Sequence, residues 1–156
     1  MTYVFDTNSF RELQSYFPQN FPTFWANFDT AVTAGQIISV REVLNELEFQ
    51  LTRDHMIDWV AQNRRIFKTP TAEETEFVAN IFQVQHFAAL VGKKQIYKGG
   101  PVADPFLIAS AAINSAVVVT EEALKPKAAK IPNVCEHFDV PYTNLEQFLE
   151  QQGWTF

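Results

Sequence analysis

Residues 3–10 have the sequence YVFDTNSF, in which a short apolar run ends at Asp6 and polar residues follow at once. The run predicts a first β-strand over residues 2–5, because apolar runs of this length bounded by turn-forming residues are typical of buried strands. The stretch VVVTEE has the same form and predicts a strand that ends just before Glu121 and Glu122. Two strands that each end at an acidic residue predict a sheet edge lined with carboxylates.

Helical patterns alternate with short strands along the rest of the chain. Further strands are predicted at residues 37–38 and 140–142, and helices at 23–33, 40–53, 54–60, 71–91, 106–114, 132–138 and 144–151. Asn8 or Ser9 is expected to cap the first helix, Ser39 the helix at 40–53, and Thr71 the long helix that follows. Alternation of this kind predicts an α/β fold, a three-layer α/β/α sandwich with a central, mostly parallel sheet. No linker or repeat interrupts it, so residues 1–156 are expected to form one domain.

Composition narrows the function classes. The formal net charge is −6, with a single cysteine and no apolar run that approaches the roughly 18–20 residues of a membrane span. The first residues lack the basic and apolar regions of a secretory signal, so we expect a cytoplasmic protein without a disulfide. A locally basic segment runs from Lys93 to Lys130 and contains six lysines but three acids. This segment keeps a nucleic-acid partner possible despite the net charge.

Four acids from four separate segments are predicted to meet at one edge of the sheet. Asp6 and Glu122 follow two strands, Glu46 lies in the helix after the second strand, and Asp104 opens the helix before the valine-rich strand. In open parallel sheets the carboxyl ends of the strands form the ligand crevice. Uncompensated carboxylates in one place raise each other's pKa, and a hard divalent cation removes that penalty. Mg²⁺ or Mn²⁺ would then support phosphodiester hydrolysis.

The motifs YVFDTNSF, VLNEL, ADPFLIASA and VVVTEE, in this order, resemble those of the PIN-domain nucleases. The resemblance extends from about Tyr3 to Phe148, and NVCEHF resembles a less studied PIN-like subgroup. Many relatives are the ribonuclease toxins of bacterial toxin–antitoxin pairs. The resemblance therefore implies a Mg²⁺- or Mn²⁺-dependent endoribonuclease with an RNA substrate, a cognate antitoxin protein as partner and a homodimeric state.

Matched to the family motifs, Asp6, Glu46, Asp104 and Glu122 correspond to the four metal-binding, catalytic acids. Asn8 and Thr120 match supporting polar positions. The family usually has Asp at the fourth position, whereas this chain has Glu122 beside a second glutamate, so Glu121 is an alternative ligand or a supporting residue.

Each assignment has a structural alternative. Glu42 lies on the same helix face as Glu46 and competes with it. Asp104 before a proline is an ordinary helix N-cap, and Glu121-Glu122 is equally suited to begin an exposed helix. Five lysines are proposed to guide phosphates to the site, although such lysines more commonly lie in solvated loops. They are Lys93, Lys94, Lys98, Lys125 and Lys127. Cys135 and the three tryptophans are interpreted as core packing.

Two other functions compete with a nuclease. A haloacid-dehalogenase-type phosphatase also begins with a strand ending in Asp, but it needs a D-x-D pair, and here Asp6 is followed by Thr7 and Asn8. A receiver domain needs an acidic pair after its first strand. A non-catalytic PIN-like binding module is the stronger alternative, favoured by the net charge of −6 and by the glutamate at the fourth position.

Overall fold

The computed structural model describes residues 1–88 and 103–156 and contains a parallel β-sheet of five strands. The strands are β1 (Tyr3–Phe5), β2 (Ile37–Val40), β3 (Phe67–Lys68), β4 (Val117–Val119) and β5 (Tyr142–Thr143), in the spatial order β3-β2-β1-β4-β5. Every pairing is parallel. The α/β sandwich predicted from the sequence is confirmed.

Helices connect the strands, as parallel pairing requires a crossover between neighbouring strands. They are α1 (Thr7–Glu12), α2 (Pro22–Thr33), α3 (Arg41–Gln50), α4 (Asp54–Gln62), α5 (Ala72–Gln83), α6 (Asp104–Ile113), α7 (Ile131–His137) and α8 (Leu145–Gln152). Short 3-10 turns occupy Leu13–Ser15 and Arg64–Ile66. None of the helices within the described ranges combines the length and apolar character needed to cross a membrane.

The core is built on β1, whose three residues are buried. Phe5 contacts Phe10 of α1, Phe28 of α2 and Phe148 of α8, with ring centroids 5.2–5.6 Å apart. Aromatic rings at such distances bury a large apolar area and prefer tilted or edge-to-face geometry. One side chain therefore holds three helices against the central strand and fixes the end of β1, where Asp6 begins.

The strand register aligns the carboxyl ends of β1 and β4. Phe5 is opposite Val119, and the Asp6 amide donates a hydrogen bond to the Val119 carbonyl at 2.8 Å. Asp6 and Thr120 consequently leave the sheet side by side. This is the physical origin of the carboxylate-lined edge that the sequence predicted.

Several local predictions were wrong. Strand β3 was missed, because two residues are too short to show a period of two. Ser39 does not cap α3: it is buried in β2 and its hydroxyl donates to the Phe5 carbonyl at 2.7 Å. The cap of α1 is Asp6 rather than Asn8 or Ser9.

The helix predicted for residues 71–91 is interrupted. Thr71 caps it with both hydrogen bonds of a capping box, as expected, but α5 ends at Gln83 and Val84 is extended. Helix resumes at residues 85–88, beyond which the prediction lies outside the described residues. The tryptophan and cysteine interpretations fit the packing, since Trp25, Trp59 and Cys135 are buried.

Candidate active site

A pocket of about 460 Å³ opens at the carboxyl edge of the sheet, between α1, α3 and the start of α6. Its lining residues are Asp6, Thr7, Asn8, Arg11, Glu46, Gln50, Asp104 and Glu122. The structure thus brings together the four acids that sequence reasoning selected, from four segments of the chain.

Asp6 is the most constrained of the four. It is 4% exposed; its Oδ1 accepts a hydrogen bond from the Thr7 amide at 2.7 Å and its Oδ2 one from the Thr120 hydroxyl at 2.8 Å. Burial raises the pKa of Asp6 well above its usual value, and the charges of Asp104 and Glu122 raise it further against the lowering effect of the two hydrogen bonds. Asp6 is therefore a buried carboxylate whose negative charge is insufficiently compensated by the protein.

Glu46 lines the pocket from α3 and is held by the neighbouring helix. The Thr7 hydroxyl donates to Glu46 Oε2 at 2.6 Å, which links α1 and α3 directly. Its rival Glu42 does not line the pocket. Glu42 is 4% exposed and pairs with the Arg41 guanidinium at 3.3 Å. Burial raises the pKa of Glu42, Arg41 lowers it, and Glu74 of α5 raises it.

Asp104 is the first residue of α6, and the preceding Ala103 occupies the cap position without a side-chain hydrogen bond. The alternative that Asp104 is an N-cap is therefore wrong. Its carboxylate lies at the positive end of the helix dipole, close enough to Asp6 to raise the pKa of that group. Helix geometry and sheet geometry thus direct two carboxylates into the same pocket.

The two glutamates after β4 have different surroundings. Glu122 lines the pocket, and its Oε2 accepts a hydrogen bond from the Ile131 amide at 3.4 Å. Glu121 instead accepts from the Leu145 amide at the start of α8, at 3.1 Å, and from the Ser9 hydroxyl at 3.4 Å. Burial raises the pKa of Glu121, which the Leu145 amide partly offsets. No helix begins at this pair, so that alternative is wrong.

Both supporting polar residues lie at the site. Thr120 is buried, donates to Asp6 and accepts from the Glu122 amide at 3.2 Å. Asn8 lines the pocket, and its Oδ1 accepts from the Glu121 amide at 3.0 Å. Together these contacts fix the backbone that carries Glu121 and Glu122 against the end of β1.

The proposed lysines are not in the pocket lining that the structure describes. Lys125 and Lys127 are exposed in the segment between β4 and α7. Lys93, Lys94 and Lys98 lie outside the described residues. Their proposed contact with substrate stays a prediction.

Three lining residues were missed from the sequence: Thr7, Arg11 and Gln50. Thr7 and Arg11 are four residues apart on α1, as are Glu46 and Gln50 on α3. Residues with this spacing lie on one helix face. Extending the face of α1 from Asn8 identifies Arg11, and extending that of α3 from Glu46 identifies Gln50, whereas Thr7 is adjacent in sequence to Asp6 and Asn8.

The donors in this pocket fit a hard divalent cation. All four acids supply oxygen, which Mg²⁺ and Mn²⁺ prefer, and a cation would relieve the uncompensated charge of Asp6. Within residues 1–88 and 103–156, no three of the acidic, histidine or cysteine side chains are arranged as joint ligands of one ion. Glu46 and Glu122 are only half-buried, so both side chains have room to turn toward an ion.

Comparisons with known proteins agree with this architecture. A family model described as a domain of unknown function, DUF4411, matches residues 3–156. A chain in the crystal structure of VapBC2 from Rickettsia felis, bound to a DNA fragment from their promoter, is similar in fold, with a TM-score of 0.51. It shares 14% identity, and the match covers 92% of this chain and 98% of that chain. No curated protein matches the sequence. The expected PIN-like fold is confirmed.

Proposed function

We propose that this chain, which belongs to the DUF4411 family, is a metal-dependent nuclease that hydrolyses RNA phosphodiester bonds. The observation that carries the proposal is the pocket in which Asp6, Glu46, Asp104 and Glu122 meet. Such an arrangement opposes folding unless positive charge enters it, because like charges in a buried site raise each other's pKa. A site built at this disadvantage is typical of a functional site.

The four carboxylates would hold the metal ion from different elements of the fold. Mg²⁺ or Mn²⁺, when bound, polarises the phosphoryl group and lowers the pKa of an attacking water. Asp6 is held by Thr120 and Thr7 so that its charge is presented to the pocket in one orientation. Asp104 approaches from the start of α6, Glu46 from α3, and Glu122 from the segment after β4.

The biological role proposed is that of an endoribonuclease toxin with a cognate antitoxin protein. The motif resemblance to PIN-domain toxins supports this role, and so does the similarity in fold to a chain of VapBC2. A homodimer is the proposed state, since closed twofold pairing is the commonest form of association. Residues 1–156 are proposed to form a single nuclease domain of the cytoplasm.

The first experiment measures RNA cleavage by the purified protein with Mn²⁺, with Mg²⁺, and with a chelator. We expect cleavage only with metal, none by Asp6→Asn, and unchanged cleavage by Asp58→Asn, whose carboxylate is exposed on α4. Cleavage that survives the chelator, or full activity of Asp6→Asn, contradicts the proposal.

The toxin role needs a separate test. Expression of the wild-type protein in a bacterial host should arrest growth, while Asp6→Asn should not, and co-expression of a small neighbouring gene should restore growth. Normal growth of cells that contain active wild-type nuclease refutes the toxin role and leaves the nuclease chemistry standing.

A non-catalytic binding module is the second candidate, favoured by the net charge of −6 and by acids that share a pocket without forming a joint ligand set in the described ranges. RNA cleavage, measured alongside a calorimetric titration of Mn²⁺, separates the two. A binding module shows no metal-dependent cleavage of RNA even where it binds Mn²⁺.

A further inference from the structure

The pocket wall continues beyond the carboxylates along α1 and α3. Thr7 and Arg11 line it from α1, and Glu46 and Gln50 line it from α3, each pair one helical turn apart. Thr7 and Glu46 are hydrogen-bonded at 2.6 Å, so the two helices are in contact at that level. Arg11 and Gln50 therefore form the next level of the wall, one turn farther from the sheet edge.

Phe49 adjoins this second level in the chain. It precedes Gln50 and lies about 4.5 Å along the helix axis from Glu46, at a rise of about 1.5 Å per residue. Its side chain is 89% exposed, more than any other large apolar side chain in the described ranges. A single exposed aromatic residue is ordinary by itself. Its place on α3, next to Gln50 and three residues after Glu46, both of which line the pocket, is what indicates a function.

Arg11 supplies the complementary charge. It is exposed, and no acid within residues 1–88 and 103–156 forms an ion pair with it. A guanidinium that lines an acidic pocket without pairing there keeps its donors available. Guanidinium groups bind phosphate oxygens through two parallel hydrogen bonds and are the preferred side chain for phosphate recognition.

We propose that Phe49 and Arg11 form a nucleotide subsite beside the carboxylate pocket, in which Arg11 binds a flanking phosphate and Phe49 stacks on an unpaired base. This inference rests on the proposed nuclease function. The face of a base is accessible to a side chain only where the base is splayed out of a helix. Because every base has a flat face, such stacking tolerates any sequence. The subsite selects unpaired segments without reading their bases.

The test measures the affinity of a fluorescent single-stranded RNA by anisotropy, at several salt concentrations and with chelator. Asp6→Asn serves as the common background, since it removes both cleavage and one repelling charge. Adding Phe49→Ala should weaken binding by roughly 5- to 150-fold and leave the salt dependence unchanged. Adding Phe49→Trp should preserve binding. The matched control is Phe82→Ala on α5, where a 40% exposed phenyl is removed and no change is expected.

Replacing Arg11 should change a different quantity, the salt dependence of RNA binding. Arg11→Gln removes one phosphate contact, so the slope of log K against log salt should become shallower by about 0.7. Duplex RNA should bind background protein and Phe49→Ala equally weakly. Equal affinity for single strands and duplex, an unchanged affinity in Phe49→Ala, or no RNA binding by the background protein overturns the subsite.

Two further outcomes are distinguishable from these. If Phe49→Ala lowers the molar mass by light scattering while RNA affinity is unchanged, Phe49 belongs to a protein interface and the subsite is wrong. If the wild type does not cleave RNA in any metal but binding still depends on Phe49 and Arg11, the nuclease function fails and the subsite stands.

Discussion

Replacing Asp6 with asparagine should stabilise the metal-free protein. The carboxylate is 4% exposed, and burial together with Asp104 and Glu122 raises its pKa well above the usual value. Asparagine has the same shape, still accepts from the Thr7 amide, and can donate to the Thr120 hydroxyl. The substitution therefore removes a buried charge while the surrounding contacts persist.

The magnitude follows from the linkage between pKa and stability. Each pKa unit by which the folded state exceeds the unfolded state corresponds to about 1.4 kcal/mol, and about 1 kcal/mol shifts the Tm of a domain this size by roughly 2–4 °C. We expect the Tm of Asp6→Asn in chelator at pH 7.5 to exceed that of the wild type by ~3–6 °C per pKa unit. Asp58→Asn, at an exposed position, should stay within about 0.5 kcal/mol of the wild type.

The pH dependence has a definite sign. A carboxyl whose pKa is raised by folding binds protons more tightly in the folded state, so its contribution to stability falls as pH rises from the unfolded pKa to the folded pKa. The advantage of Asp6→Asn should therefore shrink as pH is lowered through that window and disappear once both states are protonated. Addition of Mn²⁺ should stabilise the wild type, because a ligand that binds only the folded state raises its stability, and should stabilise Asp6→Asn much less. A lower Tm for Asp6→Asn than for the wild type in chelator at pH 7.5 refutes the reasoning.

Substitutions at four other residues test the remaining contacts. Thr7→Val removes the hydrogen bond to Glu46 and should weaken Mn²⁺ binding by about 10- to 100-fold. Thr7→Ser keeps the hydroxyl and should keep the Mn²⁺ affinity. Calorimetry that finds equal affinities for both variants contradicts the idea that Thr7 positions Glu46. Glu122→Gln should lower Mn²⁺ affinity by at least about tenfold. Glu121→Gln should leave the affinity unchanged, because that carboxylate binds the start of α8. If Glu121→Gln lowers the affinity and Glu122→Gln does not, the fourth metal-binding position belongs to Glu121. Glu42→Gln should raise the free energy of unfolding at pH 7.5, since burial raises the pKa of Glu42 and glutamine carries no charge to bury. Chemical denaturation that shows a loss of stability counts against this interpretation.

Three of the four motif acids were found from the sequence because they lie at places that local pattern reveals. Asp6 and Glu122 follow runs of buried strand residues, and Asp104 opens a helix before a proline. Parallel pairing then brings the strand ends to one edge whatever the side chains are. The pocket lining includes all four acids, and their ligand role stays a prediction.

Spacing alone does not choose between neighbouring acids; the motif resemblance favoured Glu46 and Glu122, and these two line the pocket. Glu42 and Glu46 share one helix face, so their spacing cannot separate them; the contact between Thr7 and Glu46, 39 residues apart, selects Glu46 for the pocket. Glu121 and Glu122 are adjacent, and the amide of Leu145 draws Glu121 away.

The local sequence is enough to predict the alternation of strands and helices, the capping box at Thr71 and the sheet edge at which acids gather, because these depend on local periodicity and on the parallel topology it implies. Packing in three dimensions decides that Ser39 bonds to β1, that Thr120 holds Asp6, and that Glu121 binds the start of α8 instead of lining the pocket. These features depend on partners far along the chain, as in the hydrogen bond between Asp6 and Thr120, 114 residues apart. Contacts between residues so far apart in the chain produce no periodic pattern in the sequence, and they form only when the helices and strands pack together.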